Sequence, residues 1–194
     1  MYKAIDYSHL IGLSGFSDIL LTNHFTLYQG YVKNVNALSD LLDELTAAGK
    51  NNTPEFAETK RRFGWEFNGM RLHELYFDNL TKDAKPLDLK SPLALQLTKD
   101  FGDYLAWEKE FQATGALRGV GWAVLAYDPA GQRTFNIWVN EHDVGLLAGA
   151  KPLLVLDVFE HAYMLDFGLK RAEYIAAFFK AIDWTDAEKR FAAV

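Results

Sequence analysis

The sequence predicts an α+β protein: a long antiparallel helical hairpin at the N-terminus, then an α+β unit holding a small three-stranded antiparallel sheet. Three observations predict it. Apolar residues recur at helical spacing through two long stretches, residues 18–49 and 54–80. Two β-branched and aromatic runs then flank the turn signal Asp128-Pro129-Ala130-Gly131. Between these textures lies a charged segment, residues 81–92, that carries Pro86 and Pro92. The expected division is a helical hairpin domain over residues 1–88 and an α+β domain over residues 89–194, with any site between the two. With 194 residues, 49% of them hydrophobic, the chain can build a substantial core. A fold of this size buries about 70% of its unfolded surface.

Residues 1–17 read as an irregular arm broken by Gly12 and Gly15. Ser17 is a suitable N-cap for a helix that begins at Asp18 and carries Leu20, Tyr28, Tyr31, Val35, Leu42 and Leu45 on one stripe as far as Gly49. Pro54 suits the first turn of a second helix, which reaches about Leu80. The polar link between them makes the pair antiparallel. Shorter helices are expected at 92–99 and 103–115. Gly119–Tyr127 and Arg133–Asn140 form a β-hairpin, and the apolar run Pro152–Asp157 supplies a third strand. Helical segments at 159–166, 170–182 and 184–192 complete the chain.

Composition narrows the chemistry. Without cysteine there is no disulfide scaffold, zinc ribbon, iron–sulfur centre or thiol nucleophile. A net charge of −6 argues against nucleic acid as a partner, because phosphate contacts need basic patches. No run approaches the 18 or so apolar residues of a membrane span, and Met1–Asp6 lacks a basic-then-apolar leader. The cytoplasm is the expected location. Strong transition-metal ligands are limited to His, Asp and Glu.

Five histidines are present. His9 lies alone in the N-terminal arm and reads as a bystander. His24 and His73 fall near the inward stripes of the two hairpin helices, which can face each other. Asp157 closes the most apolar strand, where an uncompensated carboxylate would be costly. A cation would compensate it, and His161 follows four residues later at a strand-to-helix turn. Three imidazoles and one carboxylate form a donor set suited to iron, manganese or zinc.

The segment Asp157-Val158-Phe159-Glu160-His161-Ala162-Tyr163 closely resembles the Asp-x-Trp-Glu-His-Ala-Tyr signature of the iron/manganese superoxide dismutases. Leu72-His73-Glu74-Leu75-Tyr76-Phe77 is similar to that family's Asn-His-x-x-Tyr-Trp. Tyr31-Val32-Lys33-Asn34-Val35-Asn36 resembles its Tyr-Val-x-x-x-Asn, and Gly119-Val120-Gly121-Trp122 its Gly-Ser-Gly-Trp. The resemblance implies one iron or manganese ion per chain held by His24, His73, Asp157 and His161. It implies superoxide as substrate, with the metal alternating between +3 and +2 to yield dioxygen and hydrogen peroxide. Tyr31 matches the proton-relaying tyrosine of the substrate funnel. Trp122, Phe77 and Phe159 match residues lining the metal site. Glu160 and Tyr163 match residues that bridge subunits, so a homodimer is expected, with pairing of dimers into a tetramer left open. Iron and manganese both stay open, with iron the first choice.

Several positions depart from the family pattern. The first ligand usually stands eight residues before the funnel tyrosine, where this chain has Asn23. His24 is preferred as the better ligand, with a one-residue helix bulge expected to absorb the shift. Leu27 and Tyr28 replace a histidine pair that precedes the tyrosine. The glutamine that holds the metal-bound solvent is missing. Gly69 stands where one branch of the family supplies it from the second helix. His142 stands near the place where the other branch supplies it from the sheet, and becomes the expected solvent-holding residue. Phe77 and Phe159 replace tryptophans and so lack their indole donors. Two further readings remain: a structural protein that kept this fold, and a metalloenzyme of a different redox or hydrolytic activity. Because superoxide is an anion and the chain is acidic, any electrostatic guidance is expected from a basic patch around the funnel.

Overall fold

The computed structural model describes residues 1–194. After an arm that contains a single 3₁₀ turn, Ser8–Leu10, the chain enters helix α1, Asp18–Ala47. The Leu20 amide donates to the Ser17 hydroxyl and caps the helix as its sequence predicts. Helix α2, Pro54–Asp78, starts on a Thr53 cap and packs along α1 to form the hairpin. Helices α3, Pro92–Phe101, and α4, Tyr104–Gly115, are capped by Ser91 and Asp103. Strands β1, Gly121–Asp128, β2, Arg133–Asn140, and β3, Lys151–Asp157, follow. Helices α5, Met164–Phe167, α6, Arg171–Phe179, and α7, Trp184–Ala192, close the chain. No helix is long and apolar enough to cross a membrane.

The sheet is antiparallel with order β2-β1-β3. Its central strand is buried along nearly its whole length, which is why its sequence reads as a continuous apolar run. Residues paired across antiparallel strands share a face, so the pairs Trp122↔Val139 and Trp122↔Asp157 bring one residue of each strand to the same end of the sheet. A bulge between Leu125 and Ala126 gives β3 one extra residue and lets Pro152 enter at its start. The core runs without interruption from Leu20 and Val35 on α1, through Met70 and Tyr76 on α2, to Val124 and Leu154 in the sheet. That continuity places the end of β3 against the middle of the hairpin.

Three expectations need correction. Helix α1 is regular throughout, with no bulge near His24. Seven residues turn an α-helix through about two turns, so His24 and Tyr31 already share a face. The single helix expected at 159–166 is instead a 3₁₀ turn, Glu160–Ala162, followed by the four-residue α5. Tyr163, with φ −146° and ψ −25°, separates them. The strand expected from Gly119 begins at Gly121, whose φ of +145° is open to glycine alone and where an added Cβ would strike the Val139 carbonyl.

Candidate metal centre

Four side chains converge where the hairpin meets the end of β3. His24 comes from α1, His73 from α2, Asp157 from the end of β3, and His161 from the 3₁₀ turn beyond it. Their donor atoms all lie within 4.8 Å of one another. Asp157 Oδ2 is the hub, 3.1 Å from His24 Nε2, 3.2 Å from His161 Nε2 and 3.6 Å from His73 Nε2. Asn23, the alternative first ligand, is exposed and is not among the converging side chains.

Two of the donors, His73 and Asp157, are held from behind. His73 Nδ1 lies 2.6 Å from the Gly69 carbonyl one turn earlier. A carbonyl can only accept, so Nδ1 carries the proton and the Nε2 lone pair faces the cluster. That Nε2 is buried and has no hydrogen-bond partner in the chain. Asp157 Oδ1 accepts from the Phe159 amide at 2.9 Å, which leaves Oδ2 for the cluster. The Asp157 backbone carbonyl accepts from the Tyr174 hydroxyl at 2.6 Å, and Tyr174 in turn lies 3.1 Å from the Tyr76 hydroxyl. Aromatic rings close the walls. Phe77 stands edge-on to His24 at 4.9 Å, Trp122 edge-on to His73 at 4.9 Å, and Phe159 stacks on His161 at 5.2 Å.

Burial pushes the His24 and His73 imidazoles below their ordinary range, so both are neutral and their lone pairs are available. Burial alone would raise the Asp157 carboxyl, but the facing His161 and His24 rings outweigh it and hold the group far below the usual carboxylate range. An orphaned, buried imidazole nitrogen beside an ionised carboxylate and two further imidazoles fits a divalent or trivalent first-row metal.

Beside this cluster sit Tyr31 and His142. His142 is fully buried although it lies in the loop after β2. Glu141, at φ +50°, turns the chain inward just before it. Trp122 Nε1–H donates to His142 Nδ1 at 3.0 Å, and His142 Nε2 lies 2.9 Å from the Tyr31 hydroxyl. Indole can only donate, so Nδ1 is an acceptor and the neutral ring carries its proton on Nε2, donating it to Tyr31 Oη. Both ring nitrogens are therefore engaged. Within the chain, the residue that His142 holds is Tyr31. Burial raises the Tyr31 phenol above its ordinary value, with Asp157 and Glu66 adding to the shift, so its proton is retained at neutral pH.

Burial likewise lowers His142 from the ordinary 6.5 to about 4. The unfolded chain therefore takes up a proton between those values that the folded chain refuses. Stability should fall as pH drops through that window, with the loss complete below it. Thermal melts of metal-free protein from pH 7 to 4 should show a shallower acid slope for His142→Gln than for the unaltered chain. Equal slopes would mean that His142 is not a contributing group.

The remaining site residues stand as follows. Glu160 is exposed and Tyr163 buried, its hydroxyl accepting from Arg171 Nη2 at 3.2 Å. His9 is exposed in the N-terminal arm and is not one of the converging donors. Sequence reasoning missed Trp65 and Arg62. Trp65 stands 4.4 Å from the His142 ring and donates its indole N–H to Glu141 at 3.0 Å, and Arg62 stacks on Trp65 at 3.9 Å. A signal was present: Arg62, Glu66, Gly69 and His73 recur at helical spacing and lead along α2 to the ligand.

Comparison with known proteins gives consistent matches. A family model described as "Iron/manganese superoxide dismutases, C-terminal domain" matches residues 89–190. A superoxide dismutase [Fe] of Cupriavidus metallidurans is 40% identical over 186 residues, covering 93% of this chain and 91% of that protein. Superoxide dismutase [Mn] 2 of Haloferax volcanii is 36% identical over 173 residues, covering 89% and 85%. A superoxide dismutase [Fe] of Methanothermobacter thermautotrophicus is 34% identical over 174 residues, covering 89% and 84%.

Proposed function

The chain belongs to the iron/manganese superoxide dismutase family and is a superoxide dismutase, and from that premise we propose which of its residues carry the reaction. His24, His73, Asp157 and His161 hold the metal, a reading supported above all by the orphaned His73 Nε2 facing an ionised Asp157. When bound, iron or manganese supplies alternating one-electron chemistry, oxidising one superoxide to dioxygen and reducing a second towards hydrogen peroxide. Iron is our choice, supported by the [Fe] relative that is 40% identical over 93% of the chain.

The chain's own part is to control protons. Peroxide formation needs two. Tyr31 stays protonated, and because His142 Nε2–H donates to its oxygen, the phenolic proton is free to be donated away from His142. Trp122 fixes the tautomer that makes this so. His142 is thus a positioning residue for Tyr31, and Trp122, Phe77 and Phe159 keep bulk water from the donor atoms.

A homodimer is the assembly we infer. The His161 Nδ1 edge makes no hydrogen bond within the chain, Glu160 beside it is exposed, and Met164, Leu165 and the 91% exposed Leu169 flank both. A partner's Glu160 on His161 would satisfy that edge. We assign the protein to the cytoplasm, since a cysteine-free chain makes no demand for an oxidising compartment, and treat residues 1–88 and 89–194 as its two units.

Protein purified without added metal should contain about one iron per chain, the stoichiometry of a single four-donor cluster, and consume superoxide. Manganese in its place would overturn the choice of metal. Metal loss in Asn23→Ala but not in His24→Ala would overturn the ligand set.

A further inference from the structure

Tyr31 is reached from outside through a surface cleft of ≈ 330 Å³ lined by Thr26, Asn34, Arg62, Trp65 and Glu66 among others. Of its lining residues only Arg62 and Glu66 are charged, so a single cation lines this cleft. The two charges are not equivalent. Glu66 is the inner one, its side chain 3% exposed, and it accepts from Arg62 Nε at 2.8 Å and Asn34 Nδ2 at 3.2 Å. Arg62 is the outer one, its side chain 54% exposed and its Nη1 without a partner in the chain. The guanidinium carbon lies over the Trp65 ring, 3.9 Å from its centroid, and Trp65 is itself pinned by the Glu141 carboxylate and the edge of His142. An anion entering the cleft therefore meets a fixed guanidinium before it meets the screened carboxylate.

We propose that Arg62 is the anion-recruiting residue of this cleft, drawing superoxide, and small monovalent anions generally, to Tyr31 and setting a preference for anions over neutral molecules of similar size. The proposal rests on the reading of Tyr31 as the residue that faces substrate. Its influence is consistent with the charges felt further in, where Arg62 opposes the upward shift of Tyr31. Removing Arg62 has a double effect: the cation is lost and the Glu66 carboxylate is uncovered at the mouth. Removing Glu66 has the opposite effect, because it leaves the guanidinium uncompensated.

Trp65 makes the test direct. Iodide, an anion, and acrylamide, a neutral molecule, both quench exposed tryptophan, and the Trp65 share is the difference between the holoenzyme and its Trp65→Phe variant. Arg62→Gln should lower iodide quenching of Trp65 by about threefold while acrylamide quenching is unchanged, Arg62→Lys should restore most of it, and Glu66→Gln should raise it. In parallel, superoxide consumption by Arg62→Glu should be about tenfold slower at low ionic strength, and its decline with salt should flatten or reverse. Folding of each variant is checked by its thermal melt, and if Arg62→Gln fails to fold, the Lys and Glu66→Gln arms decide. Iodide and acrylamide quenching that change together, or Arg62→Glu keeping the salt slope of the unaltered enzyme, would overturn the proposal. Loss of iodide quenching in Arg62→Gln with unchanged superoxide consumption would uphold an anion cleft and overturn Tyr31 as the substrate-facing residue.

Discussion

Replacing Asp157 with asparagine should empty the cluster of metal and abolish superoxide consumption while leaving the fold intact. Asp157 is the only anionic donor among the four, and its Oδ2 is the atom on which all three imidazoles converge. Asparagine keeps the shape, and with its carbonyl oxygen at the Oδ1 position it still accepts from the Phe159 amide. What it loses is the charge that a trivalent metal needs beside three neutral imidazoles. Loss of an outer-shell partner alone costs a metal site about 10–100-fold in affinity, and a charged ligand should cost at least the upper figure. Stability of the metal-free chain should fall, because the His161 and His24 rings favour the ionised Asp157 in the fold and that interaction is lost. Metal content per chain and superoxide consumption, read beside a far-ultraviolet circular dichroism spectrum, check this. Full metal content in a folded Asp157→Asn protein would show that the metal is held elsewhere.

Much of this centre was legible in the sequence, and its limits have physical causes. His24 is preferred to Asn23 because imidazole is the better ligand, and the regular α1 puts it on the face of Tyr31 without the expected bulge. Ser17 and Pro54 marked the helix starts because capping is local chemistry. The chain after Phe159 was misread as one helix because Phe159, Ala162, Tyr163 and Phe167 satisfy helical spacing whether or not the backbone bends at Tyr163. The partner of His142 was beyond sequence because it depends on a non-glycine residue, Glu141, at positive φ and on a tight loop in which Asn140 and Val144 bond each other. Arg62 and Trp65 were overlooked for a different reason: their stripe is visible, but their effect comes from Glu141, which is 76 residues from Trp65 in sequence.

Gly69→Ala should lower both thermal stability and activity, although alanine is the better helix former. In an open helix interior the change would stabilise by about 1 kcal/mol. Here a Cβ at position 69 would stand 2.6 Å and 2.7 Å from two carbons of the Tyr31 ring. That ring has little room to withdraw, being 5.0 Å from His73, 5.7 Å from Trp65 and bonded through its hydroxyl to His142. Overpacking of a filled core costs about 1–3 kcal/mol, enough to outweigh the helical gain. Activity should fall with it, because the ring can only move by loosening its bond to His142, and because the Gly69 carbonyl also orients His73. The decisive comparison is a double-mutant cycle. With Tyr31 already replaced by alanine, Gly69→Ala should become neutral or stabilising, since the ring it strikes is gone. Stabilisation in both backgrounds would show that the ring yields freely. Gly69→Gln should be worse than alanine in the Tyr31 background, which gives a steric reason why this chain reaches Tyr31 with His142 from the sheet side: at position 69 a longer side chain and the Tyr31 ring would occupy the same volume.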